Sequence, residues 1–387
     1  MKKIVVALVV LALAGGGAFA QGWTFSGLVD VGLSMTIADD WDDPRIDNLS
    51  SDMTNAAART QLRSVFVSED RTRGVDFLLR HDGWVGGAGA TSFAHAFGWV
   101  SLFDGLLTAY GGRVDVGYFN ALDLMSAGIN SGFGPGLLFV VDPMDNLRLG
   151  FGGYATGGQW FNTYSHDAAD NPHALGVFSM SFAQPDTFRL RFSLRNASQV
   201  AAAGGSNSAQ AYVSFAFDAL DDMTIAVTGH FLQLEDFGDA GEMRFHFTAL
   251  HTGLMDGLNL TLGATVGLSN DDAHDDMHLW FWAWVDYAVN DVVVPRLHIH
   301  YVMGGTMGAN PVAGSGNNFH VASFRDNATF NSDHSLFQLR PSVQLRVAPA
   351  SFLEVGGLIH MNLGDLPTWH SADNMDMALY ALVRVAF

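Results

Sequence analysis

The sequence predicts an all-β fold, a transmembrane antiparallel β-barrel of about 18 strands, and three observations carry that prediction. Apolar and polar residues alternate with a period of two over nearly the whole chain beyond residue 20. Short and long connections take turns between the alternating runs. No run of about 18 apolar residues follows the amino-terminal segment, so strands rather than helices would have to cross a bilayer.

The amino terminus reads as an export signal. Lys2 and Lys3 give a positive start, Ile4 to Leu13 an apolar core, and Ala18-Phe19-Ala20 a small-x-small cleavage site before Gln21. The expected organisation is a signal peptide over residues 1–20 and a barrel over residues 21–387. The chain has no Cys, which excludes a lipid-anchored Cys, a disulfide and a thiolate metal site. Taking Lys2 and Lys3 from the 19 cations leaves 17 Arg against 39 Asp and Glu, a balance of −22. Nucleic acid is therefore not expected as a partner, because phosphate neutralisation needs clustered cations. Charged residues are still only 15% of the chain and aromatics reach 12%, a composition unlike that of acidic disordered chains.

The first strand shows the pattern most fully. Trp23, Phe25, Gly27, Val29, Val31, Leu33, Met35 and Ile37 share one face, while Thr24, Ser26, Asp30, Gly32, Ser34 and Thr36 share the other, with Leu28 the only apolar intruder there. Phe188 to Arg195, Met243 to Thr248, Leu258 to Val266 and Phe337 to Arg346 repeat it. Many runs reach the roughly 9 to 11 residues that a tilted strand needs to cross a bilayer, whereas sandwich strands are usually about 5 or 6.

Short links fall at Ser68 to Gly74, Phe103 to Gly105, Asp142 to Asn146, Ala183 to Thr187, Asp218 to Asp222, His251 to Gly257, Asn290 to Val293 and Ala348 to Ser351. Longer polar segments separate them, beginning with Ala38 to Ala58, which holds the acidic run Asp39, Asp40, Asp42, Asp43 and Asp47. This rhythm predicts eighteen strands, with sixteen as the alternative because Gly136 to Val141 reads weakly as a strand.

The last strand runs Met375, Met377, Leu379, Ala381, Val383, Val385 and Phe387 against Asp376, Tyr380 and Arg384, and stops on an aromatic residue. It resembles the carboxyl-terminal recognition strand of outer-membrane porins and their relatives, with Phe387 as the terminal aromatic assembly signal. The resemblance covers the architecture of the mature chain. It implies an outer-membrane location, a lipid bilayer around the barrel, and the outer-membrane assembly machinery as a partner. The oligomeric state does not follow from it.

In a barrel the polar face lines the lumen. Arg189, Arg191 and Arg195 stand on one strand, and Arg244, Arg296, Arg340, Arg346 and Arg384 occupy polar-face positions elsewhere. Most of the acid lies in loops, so charge is sorted by location. A cationic ladder would attract anions or polar solutes. The competing expectation is that these Arg pair with Asp30, Asp76 or Glu354 across the wall and stiffen it. Trp280, Trp282 and Trp284 share a face with His278 and Asp286, and the next strand adds Arg296, His298 and His300. Aromatic planes stack on the C–H faces of sugars, so this run is similar to the aromatic slide of sugar-specific porins. Interfacial Trp girdles are the competing explanation. The third long loop, Asn120 to Gly134, is apolar enough to fold inward as the corresponding loop of general porins does, which would set Asp123 opposite the ladder. His274, Asp275, Asp276 and His278 have the ligand types for a divalent cation, but an acidic loop tip is ordinarily solvated, so neither a metal nor a cofactor is expected.

Two functions fit these features. One is passive diffusion of small polar solutes, anions or saccharides among them, through an Arg- and Trp-lined lumen. The other is a structural or adhesive surface protein acting through its acidic loops. No Ser-His or Asp-His constellation stands out, so an enzyme is not expected.

Overall fold

In a computed structural model the chain closes into a single antiparallel barrel. The structure describes residues 22–37, 46–49, 59–82, 90–113, 122, 135–155, 174–198, 207–232, 234, 237–240, 242–269, 277–303, 335–363 and 375–387. The expected signal peptide, residues 1–20, lies outside them.

The strands are β1 (Trp23–Ile37), β2 (Ile46–Leu49), β3 (Arg59–Val67), β4 (Arg73–Asp82), β5 (Ala90–Leu102) and β6 (Leu107–Arg113). They continue with β7 (Pro135–Met144), β8 (Leu147–Ala155), β9 (Ala174–Gln184), β10 (Phe188–Ser198), β11 (Asn207–Leu220), β12 (Met223–Leu232) and β13 (Glu242–His251). The remainder are β14 (Leu258–Ser269), β15 (His278–Tyr287), β16 (Val293–Met303), β17 (Ser335–Ala348), β18 (Ser351–Asn362) and β19 (Met375–Ala386). From β3 onward each strand pairs antiparallel with the next in sequence, β1 pairs with both β2 and β3, and β19 returns to β1 through Leu28↔Ala386 to Ile37↔Met377. At the seam the Gly27 and Phe387 backbones exchange two hydrogen bonds of 2.7 and 3.0 Å.

Two details correct the expected layout. The stretch Ala38 to Ala58 is not wholly a loop, because Ile46–Leu49 forms β2 and pairs with Gly32 to Met35 of β1. Asp47 therefore belongs to a strand. The lower part of β1, Trp23 to Asp30, pairs instead with β3, so β2 and β3 are two pieces of one stave and the nineteen strands make an eighteen-stave wall. Gly136 to Val141 lies inside the ten-residue β7, which removes the sixteen-strand alternative. The connection between β12 and β13 carries one helical turn, Phe237–Ala240.

All eight expected short links are tight turns at the end of the barrel where β1 begins and β19 finishes. Arg71, Phe103, Asp104, Asp186, Asp222 and Ala350 take positive φ there, the left-handed conformation that lets a chain reverse in a few residues. Among the described residues no helix is long and apolar enough to cross a membrane. The strands supply an apolar exterior instead: Phe25, Val31, Phe77, Phe151, Phe215, Phe247, Phe281, Val355 and Val383 all stand exposed on the outer face. A soluble protein rarely exposes so continuous an apolar surface, whereas a bilayer requires one. The alternate positions, among them Asp30, Asp76, Ser193, Thr228, His298 and Gln338, point inward and are buried.

Candidate functional site

The inner wall divides into two electrostatically different sectors. Across β15 to β19 the charges compensate one another. Arg296 donates to Asp286 at 2.9 Å and to Glu354 at 2.8 Å, while Arg340 donates to Glu354 at 2.6 Å. Tyr380 accepts from Arg340 and donates to Glu354, each at 2.7 Å. His298 adds a 3.3 Å contact to Asp286. Glu354 is only 1% exposed, so this is a buried cluster of two carboxylates and two guanidiniums. Burying such charges is tolerable only when each has partners. Arg384 closes the seam by donating to Asp30 at 2.9 Å. Glu354 and Asp30 thus pair with Arg296, Arg340 and Arg384, whereas Asp76 pairs with Arg63 and His95, which lie outside the set of Arg read from the sequence.

The same sector holds the Trp run. Trp280 and Trp282 are 1% and 3% exposed, and Phe281 between them faces outward, so the indoles belong to the inner wall. Trp282 lies flat on Gly263 of β14, where an ideal Cβ would come within 2.0 Å of the ring. Trp284 stacks on His298 with centroids 5.2 Å apart, and Trp280 stacks on His300 at 5.8 Å. The Nε1 groups of Trp280 and Trp284 aim at the two nitrogens of His300 at 3.2 and 3.3 Å. A neutral imidazole carries one proton, so it accepts from one indole at a time. Two of the three indoles are therefore committed to the wall.

Across β10 to β13 the inward-facing side chains that are described include Arg189, Arg191, Arg195 and Arg244 beside one carboxylate, Asp218. Arg189 donates twice to Asp218, at 2.7 and 3.0 Å, near the short-turn end. Arg191 and Arg195 follow inward on β10, flanking Ser193, and Arg195 donates to Gln210 at 3.0 Å. Ser193, Tyr212, His230 and Arg244 form one row in register across four strands. The backbone N–H of Leu122 donates to Ser214 Oγ at 2.8 Å. Ser214 lies on the inner face beside Arg191, its register partner, so the third long connection touches the inner wall there. Asp123 itself is outside the described residues, as are His274, Asp275 and Asp276. His278 begins β15, but its side chain is not described. Among the described residues no three metal-ligating side chains come together. Arg346 occupies an inward position at the short-turn end, is exposed, and donates to Gln344 at 3.0 Å. Phe387 packs its ring over Gly27 on the outer face.

Tyr212 and His230 are among the inner-wall residues that the sequence reading did not single out. The signal was available: Gln210, Tyr212, Ser214 and Ala216 alternate with Ala211, Val213, Phe215 and Phe217 as regularly as the Arg positions do.

No protein-family model matches the chain, and no curated protein sequence does. Solved structures do resemble it. OprD of Pseudomonas aeruginosa superposes with a TM-score of 0.56 at 12% identity, over 94% of this chain and 95% of that one. A BenF-like porin from Pseudomonas fluorescens Pf-5 gives 0.57 at 9% identity, over 94% and 99%. OccAB4 of Acinetobacter baumannii gives 0.56 at 8% identity, over 95% and 98%. The fold is that of outer-membrane porins, matched along nearly the full length of each chain.

Proposed function

We propose that the chain is an outer-membrane channel through which small polar solutes, anions above all, diffuse passively. The contact of Leu122 with Ser214 carries this reading. An inward connection narrows a wide barrel, and this one meets the wall beside Arg191, where local charge acts on every passing ion. Arg191, Arg195 and Arg244 are the residues assigned to attract anions, with Arg189 held by Asp218 at the end of the same ladder. Arg296, Arg340 and Arg384, neutralised by carboxylates, are wall stiffeners, and Arg346 is a charge at the mouth. The indoles of Trp280, Trp282 and Trp284, with His298 and His300, line the same interior, but their commitment to the wall favours anions over saccharides. Export by a signal peptide over residues 1–20 and insertion through the assembly machinery complete the proposal.

The test is single-channel recording of the refolded protein. Weak anion preference is expected, and changing Arg189, Arg191 and Arg195 together to Gln should move the reversal potential toward cations, because Asp218 then loses its partner as well. An unchanged reversal potential would make the ladder structural. Absence of any conductance would leave an adhesive or structural surface protein.

A further inference from the structure

We propose that the connection between β12 and β13 docks on the bilayer beside the barrel, with Phe237 against acyl chains of the leaflet at the long-connection end. The inference needs the barrel to stand in a membrane and is independent of whether it conducts.

Strand parity fixes the side of the wall that the connection meets. His230 of β12 pairs with Tyr212 and Arg244 in the inner row, so Phe231 beside it points outward. Its ring leans back over Gly229, where an ideal Cβ would lie 3.2 Å from it and 3.5 Å from the Phe245 ring. Phe231 and Phe245 meet edge-on with centroids 6.1 Å apart, and Phe245 is 40% exposed on the outer face. Phe237 opens the helical turn Phe237–Ala240 and sets its ring 6.4 Å from that of Phe231. The connection thus carries an aromatic ring on the outside of the wall.

Height fixes the partner. Ten residues of strand, at about 3.4 Å each and tilted by about 40°, rise about 26 Å, close to the height of about 25 Å of an apolar belt. β12 has ten residues, so Phe231 stands at the upper edge of the belt and Phe237 continues the lipid-facing surface at the strand end. Phe245, Phe247 and Val227 carry the same exposed apolar surface down the wall. Leu234 of the connection is exposed as well. The sequence around these two apolar residues adds Glu235, Asp236 and Asp239. Apolar side chains for the hydrocarbon edge and charged ones for the headgroup layer are the composition of a segment that lies in a membrane interface. A second copy of the chain is the other occupant that such a surface could take. Continuity with the lipid-facing belt favours acyl chains.

The chain has no Cys, so one introduced thiol reports one position. Leu234→Cys carrying a nitroxide, in the full-length barrel refolded into phospholipid vesicles, should collide readily with oxygen, which concentrates in hydrocarbon, and little with a neutral nickel complex, which stays in water. The same label at Glu69→Cys, exposed in the polar first short turn, should show the reverse preference. Adding Phe237→Ser to Leu234→Cys should shift that label several-fold toward the nickel complex, with circular dichroism confirming the sheet. Dominant nickel collisions at Leu234→Cys, or a label indifferent to Phe237→Ser, would overturn lipid docking. Spectral broadening that vanishes on dilution with unlabelled protein would overturn it in favour of a second copy. Should the Phe237→Ser variant fail to insert, the contrast between Leu234→Cys and Glu69→Cys decides alone.

Discussion

Glu354→Gln is the most demanding perturbation of this barrel. The side chain keeps its shape and loses its charge, so the cluster of Asp286, Glu354, Arg296 and Arg340 passes from neutral to a net charge of +1. Glu354 now accepts from Arg296 at 2.8 Å, Arg340 at 2.6 Å and Tyr380 at 2.7 Å. At an effective dielectric constant of about 20, each of the two Arg–Glu354 ion pairs has a gross attraction of about 6 kcal/mol, most of which only offsets desolvation. What matters is the asymmetry. Removing one partner strands the other, and the measured cost of doing so in a buried pair is about 3–5 kcal/mol. Arg296 keeps Asp286 and Arg340 keeps Tyr380, so the lower half of that range is expected. Equilibrium urea unfolding in phospholipid vesicles, followed by Trp fluorescence, measures the loss. The double variant Glu354→Gln with Arg340→Gln should then cost less than the two single losses added, by about 1 kcal/mol or more. A loss below about 1 kcal/mol for the single variant, or strict additivity, would refute the view that this network is a buried, compensated clamp.

Other outcomes follow from local geometry. Gly263→Ala drives a methyl group into the buried Trp282 ring and should cost about 1–3 kcal/mol, whereas Gly27→Ala meets only the exposed Phe387 ring, which can swing aside, and should cost less than about 1 kcal/mol in the same unfolding assay. Deleting Phe387 removes both backbone hydrogen bonds to Gly27, and vesicle fractionation should find less inserted barrel while passage across the inner membrane continues. In the first short turn, hydrogen bonds from the Ser68 hydroxyl and the Thr72 backbone hold the Asp70 carboxyl at about 2, below its ordinary 3.8. A lowered folded-state value means that the turn's contribution is complete above about pH 4 and fades as pH falls through about 2. An Asp70 carboxyl that titrates at its ordinary value by NMR would refute the hydrogen-bonded turn.

The fold was legible because a barrel wall writes its two faces into every strand. The Trp23 to Ile37 alternation and the eight turn-rich links correspond to strands and turns of the structure. β2 was not legible: Ile-Asp-Asn-Leu is four residues inside an acidic segment, and its extended form comes from pairing with Gly32 to Met35 of β1. Within the site, the face on which each Arg lies could be read, but its partner could not. Glu354 reaches Arg340 only through the register of β17 against β18, which shifts between Arg346 and Ala348. The Trp faces show the same limit. Alternation turns Trp282 inward, yet only the register that sets Gly263 opposite it reveals that the indole is spent on covering a glycine.

The pairing pattern also says something about the order of events in assembly. Every hairpin in this wall joins neighbours along the chain and can form as soon as its two strands exist. The seam is the exception, since Leu28 must find Ala386 across almost the entire sequence. Closing so large a loop is entropically the most expensive contact in the molecule and is favoured only when the intervening strands have already gathered its ends. Until then the sheet has two raw edges, each a row of unsatisfied backbone donors and acceptors open to pairing with another chain. The Gly27–Phe387 exchange and the Arg384–Asp30 bond are therefore the fastenings of a final step, and a chain that stalls before it is left as an adhesive open sheet.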